Sequence, residues 1–218
     1  MTISPTITIY LVLLLAAILA YGIALRSGKA YIRILFVYLL LVLVFAMLSL
    51  LVARLGVTNN LFLFHILTPV EYALISLFYT RVIVDASIKR AIRVSIPLFA
   101  VLCIIFAVYI QTLTENNSYI AILESILLIC WTLFFLREVL LFNPVTALLR
   151  YPLFWISIGI LIYFTENLVL DGILAYLIRN TFGLARLVYR VSLVFSDVFL
   201  FSLGVGAVCQ IRGGATRI

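Results

Sequence analysis

Five carboxylates stand inside stretches of this chain that are otherwise apolar: Glu71, Glu124, Glu166, Asp171 and Asp197. A carboxylate cut off from bulk water shares a proton, holds a cation or pairs with an arginine. Two such groups side by side could also act as acid and base on a substrate. His65, the only histidine, and Arg190 lie near the ends of the same stretches. Gly159, Tyr163, Asn167 and Asp171 recur every fourth residue, so they share a stripe if the segment is helical. The glycine would allow close helix approach and the others would point inward. The candidate ligand-binding set is therefore Glu71, Glu124, Glu166, Asn167, Asp197, Tyr163, His65 and Arg190. No catalytic residue and no cofactor is assigned, and a metal is left open.

The stretch that frames the problem is Leu61–Thr80, LFLFHILTPVEYALISLFYT. It is long enough to cross a bilayer, yet it carries His65, Pro69 and Glu71. A lipid-facing helix should hold none of these at depth, so the protein interior must receive them. Pro69 donates no backbone hydrogen bond, which frees the carbonyl of His65.

The rest of the chain has the same character. It has 218 residues, 67% hydrophobic and 11% charged, with a mean hydropathy of +1.33. A soluble domain carries about 25% charged residues. The bilayer is the solvent that suits this composition. Seven segments approach the roughly 20 apolar residues a span requires: Ile7–Leu25, Ile34–Val52, Leu61–Tyr79, Val94–Ile110, Tyr119–Leu136, Leu153–Leu174 and Leu187–Ile211. The fold class is thus all-α, a polytopic seven-helix bundle in one domain covering residues 1–218. The connections leave no room for a domain outside the membrane, and there is no internal repeat.

Orientation follows from the Lys and Arg bias. Eleven of them fall in the first, third and fifth connections and the C-terminal tail: Arg26, Lys29, Arg33, Arg81, Lys89, Arg90, Arg93, Arg137, Arg150, Arg212 and Arg217. The other connections hold Arg54, Arg179, Arg186 and Arg190. The bias puts the N-terminus outside and the C-terminus in the cytoplasm. The first apolar run lacks a basic leader and reads as a retained span rather than a signal peptide. Tyr10, Tyr31, Tyr109, Tyr119, Tyr151, Trp155, Tyr176 and Tyr189 near span ends read as an interfacial belt. The net charge of +7 is spread over span ends and suits lipid headgroups, not nucleic acid.

With that topology, rise per residue gives depths. His65, Arg190 and Asp171 lie about 5–6 Å below the outer surface, Glu124 about 8 Å, Glu166 about 12 Å, and Glu71 and Asp197 about 15 Å. No carboxylate falls in the inner half. Each one facing lipid would cost about 2.5–3.5 kcal/mol on insertion scales. The expectation is an outward-facing polar cavity lined by spans 3, 5, 6 and 7, with Glu71 and Glu166 across it from one another. Asp171 and Arg190, at similar depth, are expected to pair or to attract an anionic group.

Other chemistries are excluded by what is missing. Retinal needs a lysine inside a span, and Lys29 and Lys89 are both in connections. One histidine is too few for a seven-span zinc hydrolase. There is no Walker, GxGxxG or HExxH motif. Cys103, Cys130 and Cys209 lie in apolar segments without a CxxC, so neither a disulfide framework nor a zinc site is indicated.

Asn59–Tyr79 (NNLFLFHILTPVEYALISLFY), Leu123–Ile129 (LESILLI) and Tyr151–Leu170 (YPLFWISIGILIYFTENLVL) resemble a group of bacterial, Bacteroidetes-type seven-helix membrane proteins. Some of these are akin to the membrane input regions of sensor histidine kinases. Members often have Asn before the proline of the last motif, where this chain has Tyr151. The resemblance covers about half the chain and implies a sensor-like module, with output through a partner or a second copy. It carries no residue roles. A receptor-like module binding a small ligand or cation is the leading expectation. A small transporter or channel subunit and an intramembrane lipid-modifying enzyme are the alternatives. Membrane lipids are the expected partners of such a chain.

Overall fold

A computed structural model describes residues 5–55, 61–112, 117–142, 148–180 and 182–213. Among them every regular element is helical. The helices are α1 (Pro5–Ala24), α2 (Ala30–Arg54), α3 (Phe62–Val82), α4 (Ala86–Tyr109), α5 (Ser118–Phe142), α6 (Pro152–Asn180) and α7 (Phe182–Arg212). All seven are long and apolar enough to cross a membrane, as a multi-pass membrane protein requires.

Local chemistry sets several boundaries. Pro5 and Pro152 open α1 and α6, the position where a missing N–H loses nothing. A single 3-10 turn, Leu25–Ser27, follows α1 and ends on Gly28 at φ 70°, the left-handed region that glycine enters without penalty. The Arg33 guanidinium donates to the Gly28 carbonyl at 3.0 Å.

Two boundaries differ from the expected ones. The basic run Arg81–Arg93 was expected to be a connection, but α4 already begins at Ala86. The reason is Asp85, whose carboxylate accepts from the N–H groups of Ser87 (2.7 Å) and Ile88 (3.1 Å) and caps the helix. Glu138 of α5 in turn accepts from the N–H groups of Val84 (2.9 Å) and Asp85 (3.0 Å), fixing the turn between α3 and α4. The sixth connection, expected over Arg179–Arg186, is mostly helix, since α6 runs to Asn180 and α7 starts at Phe182. Arg179 and Arg186 are therefore on helices.

The helices close into a ring. Neighbours in order are α1, α2, α3, α5, α6, α7 and back to α1, and α4 packs outside on α3. Closest approach is between α6 and α7, where glycines remove the side-chain spacer. A Cβ on Gly159 would lie 2.7 Å from the Ser202 Cβ, and one on Gly206 would lie 2.7 Å from Ile156 Cγ1. Large apolar side chains such as Leu19, Val44, Ile104, Val108 and Phe201 stay exposed on the outer surface, where lipid would cover them.

Packing is uneven along the axis. At the end where α2, α4 and α6 begin and α1, α3, α5 and α7 finish, Tyr21, Leu35, Phe78, Tyr79, Phe135, Ile156 and Leu203 belong to one buried cluster. Tyr31 donates to Gln210 Oε1 at 2.6 Å and Lys29 to the same oxygen at 3.4 Å, joining α7 to the start of α2.

Candidate functional site

A cavity of about 370 Å³ lies inside the ring, lined by α1, α2, α3, α6 and α7. Ile7, Leu50, Leu63, Asn167 and Ser192 line it toward the end where α1, α3 and α7 begin. Glu71 is at its floor, about 14 Å of helical rise below Phe62.

The floor is built around Glu71. The Tyr38 hydroxyl donates to Glu71 Oε1 at 2.7 Å, and both side chains are buried. That bond engages one of the two Glu71 oxygens. Aromatic rings surround the pair. Tyr163 stacks on Phe199 with centroids 4.7 Å apart and planes at 14°, and Tyr38 meets Phe199 edge-on at 6.2 Å. Tyr10, Ser49, Asn167, Ser192 and Ser196 bring polar atoms to the walls, and the remaining lining is apolar. Among the described residues no Lys, Arg or His lines this space, and Glu71 is the one carboxylate that does.

Behind the floor sits Glu124 of α5, 4% exposed. Its Oε1 has no hydrogen-bond partner, and it lies close enough to Glu71 and Asp171 to interact with both electrostatically. Lower in the bundle some hydroxyls pair, while those of Tyr21, Ser76 and Ser157 are buried with no hydrogen-bond partner among the described residues. Tyr79 donates to Thr132 (2.7 Å), which donates to the Leu128 carbonyl. On the α4 side, Trp131 Nε1 donates to the Tyr72 hydroxyl (3.3 Å), Tyr72 to Ser95 (2.6 Å), and Ser95 to the Ile92 carbonyl (2.8 Å).

The expected site residues divide. Glu71, Tyr163 and Asn167 line the cavity, and Glu124 stands next to it. Glu166 does not face Glu71 across that cavity. It lines a separate groove on the outer side of α6 and α7, with Thr165, Val169, Val191 and Phe195. The reason is angular: Glu166 is one residue from Asn167, about 100° round the helix. Ser192 stands between the two spaces, lining the cavity while its hydroxyl makes a long 3.5 Å contact with Glu166 Oε2. Asp197 lines neither space, and its buried Oδ1 has no hydrogen-bond partner. His65 is half-buried on α3 but outside the lining, which takes Leu63, Phe64 and Leu67 instead. Arg190 is exposed and lines neither space. Among the described residues it forms no ion pair with Asp171.

The four-residue stripe on α6 is only partly in register with the cavity. Each step of four advances about 40° round a helix of 3.6 residues per turn. Gly159 accordingly packs on α7, Tyr163 and Asn167 face the cavity, and Asp171 has turned away from it.

Sequence reasoning missed Tyr38, Tyr10, Ser192, Ser196 and Phe199. Tyr38 was hidden by the expected start of its span at Ile34; with α2 starting at Ala30 it is two turns inside a helix, where a hydroxyl needs a partner. Tyr10 reads as an interfacial anchor but lines the cavity. Thr68, one turn before Glu71, and the Phe64 carbonyl are taken by the Asn117 amide at 2.8 and 3.3 Å, which fastens the start of α5 to α3. No family model, no curated protein and no solved structure matches this chain.

Proposed function

We propose that this chain is a receptor-like or sensory module of a bacterial cytoplasmic membrane, binding a small ligand or cation in a cavity that opens to the outside. The N-terminus is then outside and the C-terminus cytoplasmic, and a signal leaves through a partner chain or a second copy. The observation that carries this reading is the placement of Glu71. A buried carboxylate, one of whose oxygens is held by Tyr38, lines a ligand-sized cavity inside the ring. Ligand pockets are mostly apolar with a few convergent polar groups, as here.

The reading is favoured over a transporter by what lies beyond the floor. Tyr79, Phe78, Phe135, Ile156 and Leu203 are all buried there; the Thr132 hydroxyl is paired, and the Tyr21, Ser76 and Ser157 hydroxyls are buried with no partner among the described residues. A through-path would need this packing to come apart. A sensor needs only one access.

Melting of the purified protein in lipid nanodiscs, screened against small-molecule and salt libraries, tests the proposal. Ligands that raise the melting temperature of the wild type and lose that effect in Glu71→Gln are expected. Stabilisation that survives Glu71→Gln, or net transfer of the bound compound into proteoliposomes, would overturn it.

A further inference from the structure

We infer that the cavity takes a small organic ammonium, a monocation with an apolar body; this rests on reading the cavity as a ligand site. The charge comes first. Among the described residues Glu71 is the one carboxylate lining the space and no basic side chain lines it, so a cation is the complementary guest. Tyr38 occupies one carboxylate oxygen at 2.7 Å, which leaves the other to accept a single strong N⁺–H hydrogen bond.

The surroundings suit an organic cation better than a metal ion. Calcium takes six to eight oxygens and magnesium a near-octahedral set. Among the described residues no three His, Cys, Asp or Glu side chains are grouped to hold a metal. An ammonium needs far less: one carboxylate and the faces of aromatic rings. Tyr163 and Phe199, stacked at 4.7 Å, and Tyr38, edge-on to Phe199, supply rings directly beside Glu71. Leu11, Phe45, Leu67 and Leu193 on the upper walls, set among Ser49, Asn167 and Ser192, would cover a hydrocarbon body. A volume of about 370 Å³ is at the small end of ligand pockets, roughly 300–1,000 Å³. That matches a compact amine rather than a whole lipid.

Titration calorimetry in nanodiscs of zwitterionic phosphatidylcholine tests this, with hexylammonium and phenethylammonium as probes. The comparison compounds are hexanol, hexanoate, sodium chloride and calcium chloride. Both ammonium probes are expected to bind at least about tenfold tighter than hexanol, with hexanoate excluded. Glu71→Gln should abolish the preference, and Tyr163→Leu should weaken the ammonium probes more than hexanol. The wild-type comparison decides alone if a variant does not fold. Equal binding of hexanol and hexylammonium overturns the ammonium assignment and leaves the ligand cavity standing. Response to sodium or calcium alone overturns it in favour of an inorganic cation. No response to any of these compounds overturns both readings.

Discussion

Tyr38 and Glu71 meet across the α2–α3 interface at 2.7 Å, the phenol donating to Oε1, with both side chains buried. The bond fixes the rotamer of the carboxylate and leaves its second oxygen for the cavity. It also joins two helices at a point where each would otherwise bury an unpaired polar atom.

Tyr38→Phe removes the donor and leaves the acceptor. An unsatisfied buried group costs about 1–3 kcal/mol, so a clear fall in the denaturation midpoint in detergent is expected. Glu71→Gln keeps an acceptor oxygen in place and should be milder. The double variant should lose less than the two single losses added together, with a coupling of about 0.5–3 kcal/mol. Strict additivity would mean that the bond does not hold the two helices.

The two close glycines of the α6–α7 seam should respond alike. At Gly159 and Gly206 an added Cβ lands 2.7 Å from a neighbouring carbon, whereas at Gly204 nothing lies within 4 Å. Gly159→Ala and Gly206→Ala are each expected to destabilise by about 1–3 kcal/mol, as overpacking does. Gly204→Ala should be nearly neutral. Thermal melts of the three variants check this, and an equal response from all three would contradict the seam.

Tyr72 is the junction that ties the outlying α4 to the ring, accepting from Trp131 and donating to Ser95. Tyr72→Phe strands one donor and one acceptor. Hydrogen exchange in nanodiscs should then show faster exchange confined to α4. Unchanged protection of α4 would assign its docking to apolar packing alone.

What the sequence makes legible is the count and position of the spans, because apolar length is a one-dimensional property. It also makes legible that Glu71 must be received inside, because a carboxylate in an apolar run has few other places to go. Which way a side chain points is not one-dimensional. Glu166 and Asn167 are neighbours in sequence and open on different spaces, a matter of about 100° of helix rotation that no composition reveals. Tyr38 carries no sign of its role until the start of α2 is known to within one turn. Asp85 could have been read as a helix cap from its place before Ala86 and Ser87. It was obscured by the basic residues that follow.

The direction of the mouth follows from topology. A reporter active only in the cytoplasm should be active after Ile218 and silent after Ser118. The reverse pattern would turn the cavity toward the cytoplasm.

The most direct measurement of the central claim is thiol accessibility at the cavity wall. Ser196→Cys is made with Cys103, Cys130 and Cys209 replaced by serine, and intact cells are treated with membrane-impermeant thiosulfonates, one cationic and one anionic. Rates are taken relative to those with a free small thiol. Modification from outside is expected, with the trimethylammonium reagent faster than the sulfonate by about tenfold or more. Glu71→Gln should collapse that ratio toward one. Modification only from the cytoplasmic face, or a ratio that ignores Glu71, would contradict an outward cavity governed by this carboxylate.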